Sequence, residues 1–545
     1  MNVRTFRDFG AAGALLLVLS IATLPGFGAE NALRIPSALN GPVYNLDMQT
    51  GTTQLVGTGL PTRTAGYNGS ILGPTLIMNA GDFVTLNVHN SLEETTTTHW
   101  HGMHVTASDD GGPYTVINPG ATWSPDFTVL DSASTMWYHP HLHGKTHEQV
   151  NMGLAGMILI RDEIEAIAGL PRTYGVDEFP LILQDRSFGV GNTLRVVPLG
   201  DVMMVNGTLD PYLEVPGQLV RFRVLNGSNE RAYYVGMSDN RTFHVVGTDG
   251  GLLEAPVPVT RIQLMPGERA DVVVDFTADS GDALSLRSYA SELREGIPGA
   301  ARGPGGADNL LNGIDLELVQ FRVGAAIEPV ATRLPASIWT LQKPAEADAT
   351  VRRTIRMTGG VPGTPFTLDN QEYAHDRIDQ TVFLGSVEIW TIENTTAAAH
   401  PFHIHDIQFF ILDRNGVPPA AYESGKKDTV LVDSRETVRF ITRFETHAET
   451  DVPYMYHCHI LPHEDGGMMG QFIVVDLGSQ LLDFSVGSTL LNLRWSGNLG
   501  ALKLQSASEI GAFSDVQASP AVVNGMFQVD WTRDTDVRFF RLIGK

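Results

Sequence analysis

Gly81-Asp-Phe-Val-Thr-Leu-Asn-Val-His-Asn90 reads as one half-buried strand closed by a turn. Apolar and polar residues alternate at period two, and the final Asn suits a tight change of direction. The pattern returns as Gly217-Gln-Leu-Val-Arg-Phe-Arg-Val-Leu-Asn226 and as Gly385-Ser-Val-Glu-Ile-Trp-Thr-Ile-Glu-Asn394. All three copies carry a Gly, an Asn nine residues later, and apolar residues at the fifth and seventh positions after the Gly. The copies are 136 and 168 residues apart, which are domain-sized intervals. A strand motif repeated at that distance predicts an all-β chain built from three copies of one β-sandwich unit.

Working outward, we divide the 545 residues into 29–168, 169–328 and 329–478, with strands expected over 270–276 and 437–444. The Gly/Pro/Ala-rich residues 296–307 read as a long mobile loop, and 325–349 as the connection into the third unit. After residue 478 the pattern restarts in a smaller segment, 479–545, with four or five short strands expected and no His or Cys. We read it as a small β-module without chemistry of its own.

Residues 1–28 have the order of a secretory signal: Arg4 and Arg7, an apolar run over 11–24, then Pro25 and Gly26. Cleavage is expected near Gly28, by the general secretory route because the two arginines are not adjacent. Losing Arg4, Arg7 and Asp8, a net charge of +1, takes the formal charge from -24 to -25. No other stretch reaches the ~18 apolar residues needed to cross a bilayer. The mature chain is therefore expected outside the cytoplasmic membrane, periplasmic or extracellular, with no membrane span. Nucleic acid is excluded as a partner, since so acidic a chain repels phosphates.

Twelve of the 17 His lie in four short clusters, and the single Cys sits in the last. They are His99-Trp100-His101-Gly102-Met103-His104, His139-Pro140-His141-Leu142-His143, His400-Pro401-Phe402-His403-Ile404-His405 and His457-Cys458-His459-Ile460-Leu461-Pro462-His463. Each contains a His-x-His unit, which on a strand places both imidazoles on one face. Imidazole suits Cu, Zn, Fe and Ni, so His alone does not name the metal. Cys458 does. Lying between His457 and His459, it points to the opposite face, where it can meet His400 and His463, with a Met ten residues on, Met468, as a weak axial ligand. His₂Cys plus Met is the set of a blue-copper electron-transfer site. An electron on that copper lies a few covalent bonds from the metals held by His457 and His459. His104, His143 and His147 read as rim residues, and His89, His244, His375 and His447 as ordinary ones.

On these residues the chain resembles the multicopper oxidases, specifically the three-domain bacterial type that includes spore-coat laccases, bilirubin oxidases and copper-efflux oxidases. The resemblance covers about residues 35–478. It implies three cupredoxin-like Greek-key domains and four copper ions, with a type 1 copper in the third domain and a trinuclear cluster between the first and third. Carried over, His400, Cys458 and His463 bind the type 1 copper with Met468 axial. His99 and His403 match the type 2 ligands, and His101, His139, His141, His405, His457 and His459 the type 3 pair. Asp110 and Glu464 match the positions that supply protons. The implied reaction is one-electron oxidation of a small-molecule or metal-ion reductant, coupled to four-electron reduction of dioxygen to water.

Departures bear on the reductant. Copper-efflux oxidases carry a Met-rich insertion and an Asp/Met pair before the third cluster, where this chain has Thr395-Thr396-Ala397-Ala398-Ala399. With no soft or acidic ligand there, and an open surface expected near His463, laccase-like activity on phenols or aromatic amines is the expectation. Oxidation of Cu(I), Fe(II) or Mn(II) is the main competing reading. A non-catalytic copper-binding protein fits less well, because such relatives have lost cluster ligands that this chain retains.

Overall fold

The computed structural model describes residues 31–303, 309–361 and 363–476, and beyond them 483–486, 490–495, 502–507, 514–516, 521–523, 526–532 and 539–544. The proposed signal segment lies outside the described residues, as do 304–307 of the 296–307 loop. No helix of the described residues is long and apolar enough to cross a membrane.

The repeated motif becomes the same strand three times: Phe83–Asn90, Leu219–Asn226 and Val387–Asn394. Each occupies the same slot in its sheet. On one side it pairs in parallel with the strand that opens its unit's chain-order pair, Val43–Thr53, Glu178–Phe188 or Val351–Gly359. On the other it pairs antiparallel with Asp126–Thr128, Arg269–Asp275 or Thr437–Arg443. The closing Asn explains itself in all three. Asn90, Asn226 and Asn394 each accept through Oδ1 from the backbone N–H two residues on, at 2.9, 3.0 and 2.9 Å. Each also donates through Nδ2 to backbone carbonyls farther along its unit, two for Asn90 and Asn226 and three for Asn394. An Asx turn therefore launches the connection that, in the first and third units, carries the first His cluster of that unit.

In the first unit the second sheet runs Ala38–Asn40, Thr75–Asn79, Gly156–Arg161, Ser134–His139, His99–His101, with the histidine strand at its edge. In the third it runs Gln380–Phe383, Met469–Val475, Glu449–Cys458, His400–Ile404, Thr429–Val432. Apolar side chains between the paired sheets form one core per unit: Leu86, Trp100 and Ile158 in the first, Phe222, Val272 and Phe321 in the second, Trp390, Phe402 and Phe440 in the third. The chain is thus all-β and cupredoxin-like, as expected.

Two expectations need correction. Residues 296–303 are not a loosely hung loop: Ile297 and Ala300 are buried against Ala232, Met265, Ala399 and Leu431. Backbone bonds from Ala232 to Pro298 and from Ala399 to Gly296 tie them down. The C-terminal segment holds seven strands among the described residues rather than four or five, in one four-stranded and one three-stranded sheet.

A buried ion network joins the first two units. Arg221 and Arg223 both pair with Glu165 and Asp271, Arg223 also reaches Glu178 at 2.7 Å, and Arg161 pairs with Glu165 and Glu178. Three guanidinium groups balance three carboxylates away from water, the condition under which buried charge is tolerated.

Candidate metal centres

Strand register sorts the histidines. In the third unit Phe402 lies opposite Cys458 and His403 opposite His457. Alternation then puts His400, Phe402 and Cys458 on the face toward the unit's core, and His403, His405, His457 and His459 on the other. In the first unit His99 lies opposite His139 and His101 opposite Trp137, so His99, His101 and His139 share a face.

On the core-facing side, Cys458 Sγ lies 3.6 Å from His400 Nδ1 and 3.7 Å from His463 Nδ1. His463 comes from the short helix Leu461–Asp465 and is the one member of this trio that keeps some solvent exposure. Met468 is buried in the same core, its carbonyl accepting from Cys458 N–H at 3.1 Å and its N–H donating to the His463 carbonyl at 2.9 Å. Burial pushes the Cys458 thiol up and lowers His463 to about 3. The imidazole is therefore neutral with its lone pair free. A coordinating thiol gives up its proton outright to a bound cation, which resolves an otherwise unfavourable buried sulfhydryl.

On the other face, the two units close on each other through eight buried imidazoles. His457 Nε2 lies 3.1 Å from His141 Nε2 and 3.3 Å from His405 Nε2, and His459 Nε2 lies 3.2 Å from His101 Nδ1. His99, His403 and His405 form another group close enough to share an ion, as do His99, His101 and His139. The Nε2 atoms of His99, His139 and His403 are buried without any hydrogen-bond partner. Orphaned buried lone pairs are costly, and a cation between them satisfies all at once. Burial lowers His141 and His459 to about 3, which keeps the imidazoles neutral and competent to ligate.

The far nitrogens settle which atom each ring presents. His99, His139, His403 and His457 direct Nδ1 to the carbonyls of Asp110, Pro140, Asp428 and Cys458, at 2.9, 2.8, 2.9 and 3.1 Å. His405 Nδ1 bonds Asp110 Oδ2 at 2.7 Å. Each of these rings carries its proton on Nδ1 and offers Nε2 inward. His101 is reversed: its Nε2 faces Asp428 Oδ1 at 3.1 Å, so it offers Nδ1.

Asp110 and Glu464 both stand beside the cluster. Asp110 touches His99 and His405, and it comes so close because Gly111, at φ +80, leaves room: a Cβ there would meet the Thr98 carbonyl oxygen at 1.7 Å. Glu464 lies 3.4 Å from His141 Nδ1 and 3.2 Å from His457 Nδ1. Burial raises its carboxyl, and the imidazoles of His141 and His457 outweigh that and hold it well below the usual carboxylate range.

The rim histidines stay outside these groups. His104 pairs with Asp406 at 2.7 Å and lies beside His447, His143 packs on Tyr373, and His147 faces the Val197 carbonyl. Outside the trio, Phe366 packs on His400 and His463, with ring centroids 4.7 and 4.4 Å apart. Beside it opens a cleft of about 310 Å³ lined by Glu295, Arg302, Phe366, Ala397 and Ala398. Sequence reasoning missed Asp428 and Arg269, which reach the cluster from strand ends with no motif of their own.

Family profiles described as multicopper oxidase match residues 48–165, 185–291 and 346–477. The chain is 33% identical over 444 residues to the multicopper oxidase mco of Staphylococcus haemolyticus, covering 79% of this chain and 88% of that one. It is also 33% identical over 485 residues to the cell division protein FtsP of Sodalis glossinidius, covering 87% and 99%. Among solved structures it resembles a laccase-like multicopper oxidase from Ochrobactrum sp., whose description gives oxidase activity towards lignin model compounds and lignosulfonate. That match has a TM-score of 0.73 at 36% identity, over 81% of this chain and 100% of the other.

Proposed function

Because the chain belongs to the multicopper oxidase family, we propose that it is an exported, laccase-like copper oxidoreductase that oxidises phenols or aromatic amines and reduces dioxygen to water. One observation carries the reading: Cys458 joins two histidine-lined sites on opposite faces of a single strand. Such a link has a use only where electrons enter at one site and are consumed at the other.

In this reading His400, Cys458, His463 and Met468 hold one copper. His99 and His403 hold a second, and His101, His139 and His459 with His141, His405 and His457 hold a pair. Bound there, copper supplies one-electron oxidation at the Cys458 site and four-electron reduction of dioxygen at the cluster. The residues do the rest. Phe366, which lines the neighbouring cleft and packs on His463, is where a reductant would approach the Cys458 site. The carbonyls and carboxylates behind the cluster imidazoles fix each tautomer and ring plane. Asp110 and Glu464, in contact with four cluster histidines, are placed to hold and deliver the protons that dioxygen reduction consumes.

The absence of sulfur and carboxylate in Thr395-Thr396-Ala397-Ala398-Ala399, and the activity described for the Ochrobactrum protein, support an organic rather than a metal-ion reductant. Likeness to FtsP favours a second reading, a cell-division role without turnover. Steady-state oxygen uptake by copper-loaded protein decides among them. Uptake with a phenolic or dye reductant, together with a blue absorption band, supports the laccase-like reading. Uptake with Cu(I) alone makes the protein a metallo-oxidase, and blue protein without uptake sinks turnover altogether.

A further inference from the structure

The middle unit supplies none of the histidines above, yet it touches the cluster at two points of one turn. That turn links Ile262–Leu264 to Arg269–Asp275. Gly267, at φ +87, runs so close to His459 that a Cβ there would meet the ring at 2.9 Å. Two residues on, the wholly buried Arg269 grips Asp428 with both terminal nitrogens, at 2.6 and 2.5 Å. The guanidinium is itself held on three more sides, by the carbonyls of Thr135, Gly267 and Asp249 at 2.9, 3.0 and 3.1 Å. Thr135 belongs to the first unit and Asp428 to the third. Beside them, buried Lys427 ties the third unit to Asp249 and Glu268 of the middle one at 2.9 and 3.1 Å.

The Asp428 carboxylate is the group that reverses His101. With Oδ1 accepting from His101 Nε2 at 3.1 Å and from Thr429 Oγ1 at 2.9 Å, the His101 proton is committed to Nε2 and Nδ1 faces His459. A carboxylate alone in that space would be free to swing. The bidentate guanidinium fixes its plane. The same turn, through Gly267, sets the plane of His459, the ring His101 faces.

We propose that Arg269 and Gly267 are positioning residues: the middle unit, without donating a ligand, fixes the His101 tautomer and the His459 ring plane so that both serve one copper of the cluster. This rests on the copper assignments above. The test is copper stoichiometry and spectroscopy on full-length Arg269→Gln, Arg269→Lys and Gly267→Ala, with Arg223→Gln as control. The control removes an equally buried guanidinium of the middle unit whose ion pairs, with Glu165, Glu178 and Asp271, include no cluster residue, and which meets the Arg269 site only through Thr135. Arg269→Gln is expected to keep the blue band per folded chain but to bind cluster copper about 10- to 100-fold more weakly. Its type 2 paramagnetic resonance signal should be altered, with partial recovery in Arg269→Lys. Arg223→Gln, though less stable, should keep wild-type copper content and spectra. If Arg269→Gln does not fold, Gly267→Ala carries the same expectation, since it removes no charge and, besides straining the turn at φ +87, pushes on the His459 ring. Wild-type copper content and resonance in the folded Arg269 or Gly267 variants overturn the proposal, as does equal cluster loss in Arg223→Gln. A wild-type protein that itself binds no cluster copper instead overturns the function proposed above, so the two failures are distinct.

Discussion

Replacing Glu464 with Gln separates the oxygen side of the protein from the electron-entry side. The Glu464 carboxylate lies 3.4 Å from His141 Nδ1 and 3.2 Å from His457 Nδ1. A Gln keeps the shape but carries no charge, and it turns an amide N–H toward one of the two rings. Losing that charged support at the far nitrogens of two ligands translates into about a 10- to 100-fold weaker hold on cluster copper. The lost proton donor acts separately and slows oxygen reduction by about 10²–10⁴-fold. Neither effect removes a group from the Cys458 site, because His457 and Cys458 point to opposite faces of one strand, although the Glu464 charge is felt at Cys458. In a stopped-flow experiment on fully copper-loaded Glu464→Gln, bleaching of the blue band by a dye reductant should keep its wild-type rate. Return of the band on mixing with dioxygen should slow by at least about 100-fold. Wild-type recovery at full copper content would remove Glu464 from proton delivery.

Met468→Leu keeps the volume of a buried side chain, so stability should fall by less than about 1.5 kcal/mol while the potential of the blue site rises. An unchanged potential in a redox titration would show that the Met468 sulfur is not an axial ligand. Arg223→Gln leaves Glu165, Glu178 and Asp271 short of one guanidinium in a sealed space, and a loss of about 3–5 kcal/mol is expected on chemical denaturation; a loss under 1 kcal/mol would mean that water reaches the network. Burial, reinforced by the Asp185 carboxylate, raises Glu230 to about 7. The folded chain therefore binds this proton more tightly than the unfolded one, and the stability it contributes is full below the ordinary Glu value and lost as pH rises through 7. Glu230→Gln should gain about 3 kcal/mol relative to wild type between pH 4 and pH 8, and a parallel shift of the two unfolding curves across that range would refute the raised value.

What the sequence made legible follows from how far each signal acts along the chain. The three Gly-to-Asn strands could be read because alternation and an Asx turn are both written within ten residues, and Asn90, Asn226 and Asn394 do make the same bond. The histidine clusters could be read for the same reason, since a His-x-His on a strand fixes relative direction without knowledge of the partner strand. The packing of residues 296–303 could not. Gly, Pro and Ala describe a backbone free of side-chain constraint, but whether Ile297 meets solvent or Met265 depends on a strand from elsewhere. Arg269 and Asp428 are the sharper case: 159 residues apart, each looks in sequence like an ordinary surface charge, and only their mutual burial makes them a pair.

The same distinction bears on how the two proposed metal sites can lie so close together. A strand forces consecutive side chains apart, so one residue cannot serve two sites but its immediate neighbours must. With Cys458 turned to a core that is dry and apolar, and His457 and His459 turned to the seam between units, the two metal environments differ although they share a backbone. The Cys458 side takes its third and fourth groups from the following helix and the turn after it, within its own unit. The seam side is complete only when the first unit docks and the middle unit's turn closes over His459. The blue site should therefore survive perturbations that open the domain seam, and the cluster should not.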